Sequence, residues 1–249
     1  MENYTSQPLL NVEVVATSLR SCAAAQMAGA NRIELCSALS TAGLTPSAGL
    51  IQSVKKHIDI PVYVFVRPRE GNFVYDRLEE EVVLRDIEAA LLMGADGIVF
   101  GALDIDGNID LALMKKVMAV CQETPVTFHR AFDLCPNKAQ ALEDLISLGI
   151  KRVLTSGGAN TCIAGKKVIH DLVMQAKERI KIMPGSGLTA ENVHEVIHSD
   201  ITDFHLSGRE LVENTSMESS IFELNWHETS VEKIHAMVQS LNQLVLANK

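Results

Sequence analysis

Apolar positions along the chain keep two rhythms that take turns. Short runs such as "NVEVVA", "NRIELC" and "VYVFVR" alternate or are β-branched, the pattern of strands. Between them, "RLEEEVVLRDIEAALLMG" and "KAQALEDLISLG" place apolar residues at helical spacing. Three stretches, "QMAGANRIELC", "LLMGADGIVFG" and "ISLGIKRVLTS", repeat one join: the end of a helix, a glycine, then a strand. Glycine suits the left-handed position that closes a helix, so the join predicts a repeated helix–strand unit. Eight strands follow: Val12–Ala16, Arg32–Cys36, Val62–Arg67, Gly97–Gly101, Val126–Arg130, Arg152–Ser156, Ile180–Met183 and Asp203–Ser207. Eight βα units in 249 residues predict an α/β fold, a (β/α)8 TIM barrel, with an open doubly wound sheet as the alternative. No linker divides the chain, so residues 1–249 read as one domain. Leu211–Thr229 reads as irregular and Val231–Leu246 as a last helix.

Residues 194–198 spell "HEVIH", the His-Glu-x-x-His pattern of zinc proteases. The periodicity predicts that they lie in the helix after the seventh strand. Val193, Val196 and Ile197 form its buried stripe. At about 100° per residue, His194, Glu195 and His198 then face solvent, away from the barrel mouth. The position of a third metzincin histidine is Phe204, although spacing leaves a distant ligand such as Glu218 open. The motif therefore reads as a solvated helix face.

Strand alternation sends a different set inward. Opposite the helix-facing Val12, Val14, Ile33, Leu35, Val64, Val66, Val126, Phe128, Phe204 and Leu206 stand Glu13, Glu34, Cys36, Arg67, Thr127, His129, His205 and Ser207. Barrel interiors are usually filled with branched apolar side chains, and unpaired buried charge costs several kcal/mol, so these groups need partners or water. Arg67, His129, His205 and Ser207 sit near the C-terminal strand ends, where barrel active sites form. Either the set is a structural ion network, for instance Glu34 with Arg67, or it is a polar pocket. In the pocket, carboxylates and imidazoles share protons and the arginine binds an anion.

Small-residue loops extend the pocket reading. "TSGGANT" follows the sixth strand and brings Thr155, Ser156 and Gly157. "PGSGLTAEN" follows the seventh, with Gly185, Ser186 and Gly187, and "SGRE" follows the eighth, with Ser207. Such loops are either tight turns or a cradle of backbone N–H groups for an anion. "GSGLTA" also fits the dinucleotide spacing GxGxxA, but it comes late in the chain, and Asp203 begins the next strand rather than ending it.

Composition trims the function classes. Acidic residues outnumber basic ones, 31 to 22, and no basic stretch interleaves with aromatics, so nucleic acid is not an expected partner. No run approaches a membrane span, and "MENYTSQPLL" is not a secretory leader. Five cysteines without a CxxC pair fit reduced thiols in the cytoplasm. Cys36, ending the second strand, is either core or a soft-metal ligand.

The stretches "ANRIELCSALSTAGLTPSAGL", "VFVRPREGNFVY", "DGIVFGALDIDGNID", "PVTFHRAFD", "RVLTSG" and "PGSGLTAENV" resemble the CutC family of copper homeostasis proteins over about residues 11–209. The resemblance implies a (β/α)8 barrel, a cytoplasmic homo-oligomer (a dimer first) and a link to copper. Glu13, Glu34, Arg67, Thr127, His129, Arg130, Asp133, Thr155, Ser156 and His205 stand where the family has the same residues. The chain departs from it in two places. Val15 stands where members often carry Cys, and the loop usually written RPRGGDF reads RPREGNF, with Glu70 and Asn72. Cu(I) takes soft ligands, and Cys36 is then the matching thiol that remains.

Three functions are therefore expected to compete. One is a copper-homeostasis protein that binds Cu(I) through Cys36. Another is a lyase, isomerase or hydrolase for a small anionic or phosphorylated metabolite, using Glu13, Glu34, Arg67, His129, Arg130, Asp133 and His205. The last is a barrel that binds without turnover.

Overall fold

The computed structural model describes residues 10–198, 200–215, 221 and 224–247. The expectations for the first nine residues and for Glu218 lie outside them. Eight strands form one parallel sheet: β1 (Asn11–Ala16), β2 (Arg32–Leu35), β3 (Val62–Phe65), β4 (Gly97–Val99), β5 (Val126–Phe128), β6 (Arg152–Thr155), β7 (Lys181–Pro184) and β8 (Asp203–Leu206). Their order is β7-β6-β5-β4-β3-β2-β1-β8, so β8 pairs with β1 and the sheet curls into a nearly closed barrel. β7 and β8 lie in contact, but no ladder joins them among the described residues.

Six helices alternate with the strands: α1 (Leu19–Met27), α2 (Ala48–His57), α3 (Arg77–Leu92), α4 (Leu111–Cys121), α5 (Lys138–Ser147) and α6 (Lys166–Ala176). The three repeated joins are present. Gly29, Gly94 and Gly149 sit at φ of 93°, 90° and 78° after α1, α3 and α5. The next amide returns five residues in each case, Ala30 to Ala25, Ala95 to Ala90 and Ile150 to Leu145, the bond that turns a helix end back toward a strand. Helix starts are equally local. Asp76 accepts from the Leu78 and Glu79 amides while Glu79 reaches back to the Asp76 amide, a complete capping box.

The main core lies between sheet and helices. Val14, Ile33, Val64, Ile98, Phe128 and Phe204 are fully buried there against Ile87, Leu113, Leu142 and their neighbours. Each such side chain contributes about 1.5–3 kcal/mol of transfer free energy. A second, smaller cluster fills the barrel itself: Val15, Cys36, Tyr63, Phe65 and Val99.

Three expectations change. β5 ends at Phe128 instead of Arg130, because the His129 ring nitrogen caps a short 3-10 helix at Arg130–Leu134 by accepting from the Ala131 amide. The helix expected at "HEVIH" is only a 3-10 turn, Val193–Glu195. Its β-branched, His and Asn residues are weak helix formers, and the chain soon enters β8. His194 and Glu195 are exposed, Glu195 pairs with Lys166 at 2.9 Å, and His198 packs its ring edge-on against His170. The zinc-protease arrangement is thus absent here. Finally, the stretch read as irregular carries an antiparallel hairpin, β9 (Arg209–Val212) with β10 (Trp226–Thr229). It is tied down where Glu228 accepts from the Ser18 and Ser21 hydroxyls at the start of α1. The last helix, α7 (Val231–Ala247), then packs through buried Ile234, Met237 and Leu241.

Candidate functional site

The inward strand positions divide into a floor and a mouth. At the floor, Arg32 donates through Nε to Glu13 at 2.5 Å and through Nη2 to Asp203 at 2.9 Å. Arg152 reaches the same Asp203 oxygen at 3.0 Å and Thr127 Oγ1 at 3.2 Å. Both guanidinium groups lie over the Tyr63 ring. The strand-alternation reading missed Arg32, Arg152 and Asp203, although they share the parity of Glu34, Leu154 and His205 on their own strands. Extending the alternation to the strand starts would have found them.

One step up, the Nδ1–H of His205 donates to Glu13 Oε1 at 2.8 Å. Glu13 is fully buried, and burial alone would raise its pKa. Arg32, the His205 hydrogen bond and Arg152 outweigh that and hold it far below the carboxylate range. An ionised Glu13 can only accept, which fixes the proton on Nδ1 and leaves His205 Nε2 free at the cavity. Burial works against charge on His205, but the Glu34 and Glu13 carboxylates prevail and raise its pKa. Glu34 has no cation in direct contact, and its Oε2 is buried without a partner. Burial, with Glu13 adding to it against the opposing pull of His205, pushes Glu34 up to about 7. The site thus pairs a carboxyl brought up to about 7 with an imidazole whose charged form is favoured by its carboxylate neighbours, groups suited to moving protons.

Above them opens a cavity of about 920 Å3, within the range of small-molecule sites. Glu34, His129, Arg130, Ser186, Gly187, His205 and Ser207 line it, so these expected site residues do converge. Leu39, Phe65, Phe73 and Leu154 form its apolar wall, and Arg209, Lys233, Glu191 and Glu232 its rim. Ser186, Gly187 and Ser207 were legible as small-residue loops, whereas the rim residues were not, because neither a loop nor a helix start marks in sequence which side chain reaches the mouth.

Other expected members are elsewhere. Arg67 does not pair with Glu34, and it is not in the cavity wall. Its Nη1 donates to the Thr41 and Gly43 carbonyls and its Nη2 to the Gly71 carbonyl, so it staples the loops after β2 and β3. The loop Thr155–Ser156–Gly157 is already filled by a carboxylate of this chain. Asp133 accepts from Thr155 Oγ1 at 2.5 Å, from the Ser156 amide and hydroxyl, from the Gly158 amide, and from Arg130 Nε at 2.9 Å. The Gly157 amide is bound to Thr155 Oγ1. Gly185 donates to the Thr155 carbonyl and stands behind the wall. By contrast, the amides of Gly187 and Gly208 have no partner among the described residues.

Cys36 is buried beside Val15 and Phe65, and burial pushes its thiol up. Glu13, Glu34 and His205 bring one donor atom each within 4.8 Å of one another, without Cys36. Two carboxylates and an imidazole suit a borderline divalent cation better than Cu(I), so the cluster does not fit the cuprous ion.

A model of the CutC family matches residues 10–210. The copper homeostasis protein cutC homolog of Homo sapiens is 49% identical over 199 residues, 80% of this chain and 73% of that one. A family protein CutC of Xanthomonas axonopodis pv. citri is 42% identical over 239 residues, 94% of this chain and all of that one. A CutC crystal structure from Streptococcus agalactiae superposes with a TM-score of 0.76 at 33% identity, covering 80% of this chain and 99% of that one. Among the described residues, no helix is long and apolar enough to cross a membrane.

Proposed function

The chain belongs to the CutC family of copper homeostasis proteins, and from that premise we propose that its barrel mouth works as a proton-transfer enzyme, an isomerase or lyase, on a small anionic metabolite. The observation that carries this is the Glu34–His205 pair on the cavity floor, where burial brings the Glu34 carboxyl up to about 7 and Glu13 holds the imidazole from behind. In this reading the Glu34 carboxylate accepts a proton from the substrate and the His205 imidazolium returns one through Nε2. Glu13 stays ionised and stabilises the imidazolium. The anion lies against the open amides of Gly187 and Gly208, near Arg130, Arg209 and Lys233.

The experiment is NMR of a panel of small phosphorylated and carboxylated metabolites in deuterated buffer with the wild type and Glu34→Gln. A proton-transfer enzyme puts deuterium into one of them, and the isosteric variant slows that by about 100-fold or more with the fold kept. No exchange into any of them by the wild type overturns the reading.

Copper binding is the second reading; the convergence of Glu13, Glu34 and His205 favours it for the cupric ion and not for Cu(I). A Cu(I) site would need Cys36 and a second soft donor, and Val15 supplies none. Anaerobic titration against a competing chelator is expected to show no stoichiometric site that Cys36→Ala abolishes. A site that does depend on Cys36 would make the barrel a copper binder.

A further inference from the structure

Of the Lys and Arg side chains that line the cavity, Arg209 is the unpaired one. Arg130 is paired with Asp133 at 2.9 Å and donates to Ser156 Oγ at 3.0 Å. Lys233 Nζ donates to the Arg209 carbonyl at 2.7 Å. The Arg209 guanidinium lies half-buried in the cavity wall and has no ion pair or hydrogen bond among the described residues. Its charge is felt inside the barrel: burial and Glu34 push the Cys36 thiol up, and Arg209 pulls it down. A cation that has lost part of its hydration and gained no counter-charge is a place prepared for an anion.

The fold fixes where that cation stands. Arg209 opens the hairpin opposite Thr229, and the Ser230 amide returns to the Gly208 carbonyl at 2.9 Å, so the hairpin leaves and re-enters the barrel at one point. Two close approaches keep the neighbouring backbone bare. A Cβ at Gly187 (φ 73°) would fall 2.8 Å from Thr161 Cγ2, and one at Gly208 (φ 52°) would overlap Ile234 Cδ1. Their amides are open, and the Ser207 hydroxyl has no partner among the described residues. All three residues line the cavity. The loop after β7 also runs against His205, since a Cβ at Gly185 would lie 3.3 Å from His205 Cβ. The rim carboxylates are already engaged: Glu232 accepts from the Ser230 hydroxyl at 3.0 Å, which fills the start of α7, and Glu191 is bonded to Thr189.

Open donors thus come from three segments: the loop after β7, the end of β8 and the hairpin. A carboxylate offers two oxygens in one plane. A phosphate monoester offers three that point apart, and a guanidinium fork grips two of them. Loops after the seventh and eighth strands are also where barrels of this kind hold phosphate. Building on the anionic-metabolite reading above, we propose that the substrate is a phosphate monoester. Its phosphate sits between Arg209, Ser207 and the amides of Gly187 and Gly208, and its carbon chain reaches down to Glu34 and His205.

Calorimetry with three probes of one carbon skeleton tests this: glycerol 1-phosphate, glycerate and glycerol. Glycerol 1-phosphate is expected to bind at least about tenfold more tightly than glycerate, and glycerol more weakly still. Arg209→Met is expected to weaken glycerol 1-phosphate by about tenfold or more. Arg209→Lys keeps the charge without the fork and is expected to fall between Arg209→Met and the wild type; it carries the test if Arg209→Met does not fold. Glycerate binding as tightly as glycerol 1-phosphate would overturn the phosphate proposal and leave the anionic reading standing. Glycerol binding as tightly would overturn both. Glycerol 1-phosphate held equally by the wild type and the Arg209 variants would place the anion elsewhere and overturn the proposal. No binding by any of the three overturns it too, and deuterium exchange into a carboxylated metabolite would then still uphold the anionic reading.

Discussion

Glu34 is a carboxyl held in a place that favours its neutral form, and that has a thermodynamic signature. Its pKa rises from an ordinary 4.5 to about 7 on folding, through burial first. The folded protein therefore holds the proton more tightly than the unfolded chain, so this group costs stability as pH climbs from about 4.5 to 7. The full cost, reached above pH 7, is about 3 kcal/mol. Glu34→Gln cannot ionise, so its melting temperature should match that of the wild type near pH 4 and exceed it increasingly toward pH 8. Equal differences at pH 4 and pH 8 would show that Glu34 is an ordinary carboxylate. His129 has the opposite consequence. Burial depresses it to about 3, so the unfolded chain binds the extra proton, and its contribution to stability falls as pH drops below about 6.5. Nitrogen NMR at pH 5 should find this ring still neutral, with its proton on Nε2. An imidazolium signal there would show that burial does not depress this ring.

Between residues and barrel, the loops after β5 and β6 act as one unit through Asp133. Its two oxygens accept hydrogen bonds from two hydroxyls, two amides and one guanidinium. Asp133→Asn replaces one acceptor with a donor that faces other donors. It should cost about 2–3 kcal/mol in denaturant unfolding and speed hydrogen exchange at Ser156 and Gly158. A variant as stable as the wild type, with those amides still protected, would show that the loop holds itself. This is also where sequence reading reached its limit. The strands and the helix–glycine–strand joins were visible because periodicity and left-handed glycine are local. The residues Glu13, Glu34, His129 and His205 were visible because strand alternation gives their direction. That "TSGG" is filled by Asp133, and that Arg67 spends its guanidinium on three carbonyls, depends on side chains that meet across the fold. "HEVIH" failed as a helix for a different reason: its apolar spacing was helical, but its residue types resist helix and the connection to β8 is short.

At the scale of the whole barrel, the floor network answers a question of closure. Among the described residues, seven strand pairs are laced by backbone ladders and the β7–β8 seam is not. Asp203, at the start of β8, is gripped by Arg152 from β6 on the far side of β7 and by Arg32 from β2. Arg32 also touches Met183 Sδ of β7 at 3.6 Å. The seam is thus bridged by buried side chains where backbone bonds are missing. Removing one partner from such a cluster leaves uncompensated charge, which costs about 3–5 kcal/mol. Asp203→Asn should lose stability on that scale. Its hydrogen exchange should rise first along β7 and β8 and later elsewhere, because the other strands keep their ladders. The loss should change little with added salt, since the pairs are shielded from solvent. Uniformly faster exchange around the barrel would mean that the arginines only balance charge and that contact alone closes the seam. Exchange confined to β7 and β8 would make the ion cluster the clasp of the barrel. Because Arg32 also holds Glu13 behind His205, opening the clasp should disturb the site that depends on it.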